Sequence, residues 1–216
     1  MNDEPGHALA AELILTLRQH GAADGAFEKI VAETDVRGFV PLGHRDAVRA
    51  DRWLPLECGQ SLPPPNVTVR LVQAVGATAS HSVLEIGTGS GFQTALLARG
   101  ARKVTSVERY RTLSQAALRR LTTGGIGNAV LLVRDGSVAH RDGVVYDRIV
   151  IDSAFEQVPR HYIDMLAPGG VLVCAVGPAD GEQNLLRLTK IGARFERETL
   201  FPVRFNPLEK GLATAL

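Results

Sequence analysis

Residues 82–100 read SVLEIGTGSGFQTALLARG. A short apolar run meets glycines at Gly87, Gly89 and Gly91, every second position, and then gives way to a helical pattern closed by Gly100. A strand leading through a glycine turn into a helix brings main chain within contact of a ligand at the carboxyl edge of a sheet. The dinucleotide fingerprint is G-x-G-x-x-G, with a pyrophosphate held on the helix N-terminus. Here the spacing is G-x-G-x-G, and Glu85 stands two residues before the first glycine. A carboxylate at the rim of a pyrophosphate site repels the dianion, whereas it suits a ligand carrying an ammonium or sulfonium. The loop therefore reads as a site for S-adenosylmethionine rather than for NAD.

Beyond the loop, strands and helices alternate. KVTSV, AVLLV, YDRIVIDSA and VLVCAV read as further strands. Helices are expected over 112–123, ended by Gly124 and Gly125, and over 159–166, with a turn at APGG. Short apolar strands spaced by helices predict an α/β fold, a doubly wound and mostly parallel sheet with helices on both faces. After the PADGEQ turn, NLLRLT and RETLFPVRFNPL are expected as an antiparallel C-terminal edge. Two more carboxylates fall at strand ends. Glu108 closes the second strand about 20 residues past Gly87, where an acidic side chain can take both ribose hydroxyls. Asp135, followed by Gly136, closes the third, where its oxygen can accept from an adenine amino group.

Residues 1–81 have a different texture. Helical patterns over 7–20 and 24–33 precede a Pro- and Gly-rich stretch, RGFVPLGHRDAVRADRWLPLECGQSLPPPN, and a helix over 67–75. The stretch is too long for an ordinary connection, which marks a functional loop or cap. Trp53 within it is expected as a core anchor. The chain is read as one domain, with an N-terminal helical cap over 1–81 and a cofactor-binding core over 82–216.

A hydrophobic fraction of 45% supports a full core, and a net charge of +1 gives no bulk field toward nucleic acid or membrane. The basic residues Arg102, Lys103, Arg109, Arg111, Arg119 and Arg120 are expected as a solvated helix face rather than an RNA patch. Two cysteines make no disulfide framework: Cys174 reads as a small buried hydrophobe and Cys58 as a free thiol near a site. The histidines have no metal-ligand spacing, and no metal is expected. MNDEPGHALA lacks the form of a signal peptide, and no apolar run reaches membrane-spanning length; a cytoplasmic location is expected.

With their flanks, these residues resemble the protein-L-isoaspartate O-methyltransferase family. VLEIGTGSGFQTALLA resembles its glycine-loop motif, and FVP at 39–41, DRWLPLECGQSL at 51–62 and LFPVRFNPL at 200–208 resemble its more distinctive segments. The resemblance spans about residues 10 to 210. It implies methyl transfer from S-adenosyl-L-methionine to the α-carboxyl of L-isoaspartyl residues in damaged proteins, a repair step. Carried onto this chain, Gly87, Thr88, Gly89 and Gly91 cradle the methionine part, with Glu85 assisting its ammonium. Glu108 with Arg109 holds the ribose, and Asp135 with Gly136 holds the adenine. Gln60, Ser61 and Leu62 line the methyl-transfer channel.

The chain departs from the family at one place that matters. Where the family reads G-Q-T-I-S-A-P, this chain reads Gly59, Gln60, Ser61, Leu62, Pro63, Pro64, Pro65. Pro63 takes the position of the family's active-site serine, and Asn66 stands where a histidine is common. Ser61 keeps a hydroxyl two residues away, about 7 Å along an extended chain. Asp152 and Ser153, at the end of the fourth strand, are expected on the side of the glycine loop. Where the family carries small or hydroxyl residues, Asp152 either points into the site, beside the cofactor and close to where an acceptor carboxylate would approach, favouring a basic or neutral acceptor, or caps a helix. Two alternatives follow: a methyltransferase with another acceptor, and a protein that binds S-adenosylmethionine without turnover.

Overall fold

The computed structural model describes residues 4–21, 24–138 and 143–213. The first three residues of the N-terminal stretch read above lie outside these. Among the described residues, no helix is long and apolar enough to cross a membrane.

The chain opens with α1 (Glu4–Gln19) and α2 (Gly25–Ala32). Leu9, Leu13 and Leu17 recur every fourth position, which places all three on the buried stripe of α1. Asp24 caps α2 by accepting from the Ala26 amide. The Pro- and Gly-rich stretch then winds through short 3-10 turns and a small hairpin of β1 (Leu54–Pro55) and β2 (Ser61–Leu62). The helix expected over 67–75 begins earlier, as α3 (Pro65–Val75), because Pro65 fits the first helical turn, where its missing N–H costs nothing.

The core follows as β3 (Ser82–Ile86), α4 (Phe92–Gly100), β4 (Lys103–Glu108), α5 (Arg111–Thr123), β5 (Ala129–Val133), β6 (Tyr146–Phe155), α6 (Arg160–Asp164), β7 (Leu166–Val176), β8 (Gln183–Ile191) and β9 (Arg194–Val203). These strands form one seven-stranded sheet in the order β5-β4-β3-β6-β7-β8-β9. Pairing is parallel from β5 to β7 and antiparallel for β8 and β9, as the pattern of strands and turns predicts. Two apolar clusters cover the two faces. Val83, Val104, Val150 and Val173 pack with α1 to α5, while Leu84, Ile149, Ile151 and Leu172 pack with Tyr162 of the short α6.

Two details differ from the sequence reading. APGG is not a turn ahead of a strand but lies inside β7, where the pairing passes from Tyr146↔Leu166 directly to Arg148↔Val171. Four residues bulge out, helped by Gly169 at φ 73°. The basic residues are not one solvated face. Arg109 turns inward, and Arg120 pairs with Glu57 across α5 and the 53–62 loop.

Candidate active site

The strand order reverses between β3 and β6, whose neighbours run off in opposite directions; such a switch point opens a crevice at the carboxyl ends of the strands. A cavity of about 510 Å³ lies there. Its floor comes from Ile86, Gly87, Gly89, Glu108 and Asp152, at the ends of β3, β4 and β6. One wall is the 53–62 loop, through Trp53, Gln60 and Ser61; the other is the segment Phe205 to Glu209.

Gly87 shows why the loop needs glycine. Its φ of 97° is disfavoured for any side chain, and a Cβ there would lie 3.3 Å from the Cβ of Asp152. Gly136 is equally constrained by space, since an added Cβ would sit 2.6 Å from Ile86 Cγ2. Gly89 lines the cavity, and its amide donates to Glu108 Oε2 at 3.0 Å. Gly91 and Thr88 serve the loop from behind. Gly91 packs against Ala117 of α5, and the buried Thr88 hydroxyl meets Ser106 Oγ at 2.6 Å. Neither contributes to the cavity wall, against the expectation that both contact the cofactor.

Glu85 also departs from expectation. It shares a strand face with Val83, toward α4, and is fully buried. Its carboxyl accepts from Gln93 Nε2 at 3.0 Å, Thr94 Oγ1 at 2.5 Å and Ser106 Oγ at 2.6 Å. It lies outside the cavity lining, so it braces β3, β4 and α4 beneath the loop rather than presenting charge to a ligand. Burial pushes it up to about 7 despite the three donors.

The other carboxylates divide by their partners. Glu108, also raised by burial, accepts from the amides of Gly89 and Tyr110 at 3.0 and 3.1 Å while facing the cavity. Asp135 accepts from the Ser137 amide at 2.8 Å and the Gly211 amide at 2.8 Å. Burial raises it, but these bonds outweigh burial and hold it below its ordinary value. It lies outside the lining, where Gly136 stands instead. Its ties show a latch: Arg109 Nε donates to Gly211 O at 3.0 Å and its guanidinium pairs with Glu209, so β4 and β5 together hold the C-terminal segment over the cavity.

Asp152 does not cap a helix; α6 starts at Arg160 behind Pro159. Between Ile151↔Cys174 and Ala154↔Ala175, Asp152 and Ser153 are extra residues with no opposite number on β7. This bulge turns both into the cavity wall. Burial, then the nearby Glu108, raises the Asp152 carboxyl to about 7. Past the bulge, the Ala154 amide donates to Asn206 O at 2.9 Å, seating the C-terminal segment alongside β6.

On the loop side, Ser61 is exposed to the cavity while Leu62 and Pro63 are buried away from it, so neither of the latter contributes to the lining as found. Gln60 Nε2 donates to Tyr110 Oη at 3.3 Å. Trp53 is 42% exposed and lines the cavity, edge-on to Phe205 with ring centroids 6.1 Å apart. It is a site aromatic, not the core anchor expected, because the hairpin holds it at the rim. Cys58 lies near the site but outside its lining. Ser153 lines the cavity beside Asp152, on the glycine-loop side expected of both, whereas Tyr110 and residues 205–209 escaped the sequence reading as site residues; only the segment LFPVRFNPL carries a signal for the last of these. Among the described residues, no group of three His, Cys, Asp or Glu side chains could hold a metal ion.

A model of the family "Protein-L-isoaspartate(D-aspartate) O-methyltransferase (PCMT)" matches residues 8–213. A protein-L-isoaspartate O-methyltransferase of Bradyrhizobium sp. (strain ORS 278) is 39% identical over 203 residues, covering 94% of each chain. One from Azorhizobium caulinodans is 38% identical over 216 residues, covering 100% of this chain and 99% of its own. Among solved structures, a putative protein-L-isoaspartate O-methyltransferase from Plasmodium falciparum, in complex with S-adenosyl-L-homocysteine, superposes with a TM-score of 0.76. It is 19% identical and covers 93% of this chain and 98% of its own.

Proposed function

The chain belongs to the protein-L-isoaspartate(D-aspartate) O-methyltransferase family, and we propose that it methylates the α-carboxyl of L-isoaspartyl residues in damaged proteins, with S-adenosyl-L-methionine as methyl donor. One observation carries this reading. The glycine loop and two of the three distinctive segments, 51–62 and 200–208, converge on a single cavity at the sheet's switch point, while 39–41 lies outside its lining.

The residues present fit such a donor. Gly87 leaves room that a side chain would fill, and Glu108 keeps lone pairs for ribose hydroxyls while its own position is fixed by two amides. When bound, the donor supplies an electrophilic methyl on a sulfonium. The acceptor carboxylate is already ionised at neutral pH, so no general base is required. The protein's work is alignment and exclusion of water. Trp53, Phe205 and Pro207 give the cavity apolar walls. Ser61 presents the hydroxyl that the buried Pro63 lacks, and in this reading it positions the acceptor carboxylate. One neutral hydrogen bond at that point contributes about 0.5–1.5 kcal/mol. The free thiols of Cys58 and Cys174 fit a reducing, cytoplasmic setting.

Pro63 and the cavity-facing Asp152 favour a second reading, in which the acceptor is neutral or cationic. The test is transfer of labelled methyl to an isoaspartyl peptide and to its aspartyl twin, beside titrations with S-adenosylmethionine and NAD. The family reading expects donor binding, no NAD binding, and transfer to the isoaspartyl peptide alone. Donor binding without isoaspartate-dependent transfer overturns it in favour of the second.

A further inference from the structure

Five carboxylates lie in or near the cavity, Glu108, Asp152 and Glu209 in its lining and Glu85 and Asp135 outside it, and four are already matched within the protein. Glu85 has three donors, Glu108 two amides, Asp135 two amides, and Glu209 the guanidinium of Arg109. Asp152 alone has neither a hydrogen-bond donor nor a cation among the described residues, and the charged groups coupled to it, Glu108 and Glu85, carry the same sign. Its position is built rather than incidental. The two-residue bulge in β6 turns it inward, and the absence of a side chain at Gly87 lets it lie against the loop. A carboxyl held at a cavity wall beside another carboxylate, without a partner, costs free energy unless a ligand supplies the opposite charge.

We propose that Asp152 is the residue that recognises positive charge on the methyl donor, pairing with its ammonium or its sulfonium and so filling the role that sequence spacing assigns to Glu85. This rests on the reading of S-adenosylmethionine as the donor. The charged groups around Asp152 are Glu108 and Arg109 from the end of β4, Glu209 from the C-terminal segment, and Glu85 of β3 beneath the loop. Arg109 is engaged with Glu209 and the main chain of 210–211, which leaves the donor as the cation for Asp152.

The test is calorimetric titration of the full-length protein and Asp152→Asn with three ligands: S-adenosylmethionine, S-adenosylhomocysteine, which lacks the sulfonium charge, and 5′-methylthioadenosine, which lacks both positive centres. At pH 8 the substitution is expected to weaken S-adenosylmethionine about tenfold and to leave methylthioadenosine within about twofold. Loss shared by S-adenosylhomocysteine assigns the ammonium, and loss confined to S-adenosylmethionine assigns the sulfonium. At pH 6, with Asp152 protonated in the free protein, the gap between wild type and variant narrows. Equal weakening of all three ligands, or no weakening of S-adenosylmethionine, overturns the proposal while leaving the donor intact. Failure of the wild type to bind any of the three removes the donor reading itself.

Discussion

Glu85 and Ser61 illustrate how the fold reassigns residues. Glu85 looks like a ligand from its spacing to Gly87, yet strand alternation places it on the α4 face, where three side chains donate hydrogen bonds to it. Its folded-state pKa of about 7 lies above its ordinary 4.5, so the folded protein holds a proton that the unfolded chain has released between these values. Its contribution to stability therefore falls as pH rises from about 4.5 to 7. Glu85→Gln should reduce the slope of stability against pH in chemical denaturation, leaving the part of the same sign that Asp152 contributes; an unchanged slope would contradict the assignment. Glu85→Ala leaves three buried groups without an acceptor and should cost about 3 kcal/mol or more. Ser61→Ala should lower kcat/KM on an isoaspartyl peptide by about 2–10-fold, the worth of one neutral hydrogen bond, with little change in donor Kd. A loss of donor affinity instead would place Ser61 at the cofactor.

At the scale of elements, the glycine loop and the C-terminal segment carry the site. Gly87→Ala adds a Cβ in a left-handed conformation against Asp152 and should weaken donor binding at least tenfold, read by titration, with a fall of a few degrees in Tm. The segment after β9 is held by the Asp135 carboxyl and by Arg109. Asp135→Ala should speed amide exchange at Gly211 and its neighbours; unchanged protection there would show the latch to be idle. The strands and helices of the core were legible because period, glycine stops and apolar runs are local signals. The β6 bulge was not, since nothing in IVIDSAF records that β7 offers no partners for Asp152 and Ser153. The inward turn of Trp53 was equally hidden, because it depends on where the hairpin packs and not on its neighbours in sequence.

For the whole molecule, the parallel sheet, its antiparallel edge and the switch-point cavity follow from the order of strands and glycine turns that the sequence already displays. What the sequence could not deliver is the closure of the cavity by residues more than a hundred positions from the loop, which is a property of the assembled fold. A ligand bound by the folded state alone stabilises it: S-adenosylmethionine at a hundred times its Kd adds about 2.7 kcal/mol, a rise of roughly 5–10 °C in Tm for a chain of this size. NAD at the same concentration should produce none. The most direct measurement is site-resolved mass spectrometry of an isoaspartyl peptide after incubation with the protein and isotopically labelled S-adenosylmethionine. The account predicts one labelled, base-labile methyl ester at the isoaspartyl α-carboxyl and none on the aspartyl twin. Binding of the donor with no ester at that carboxyl would contradict it.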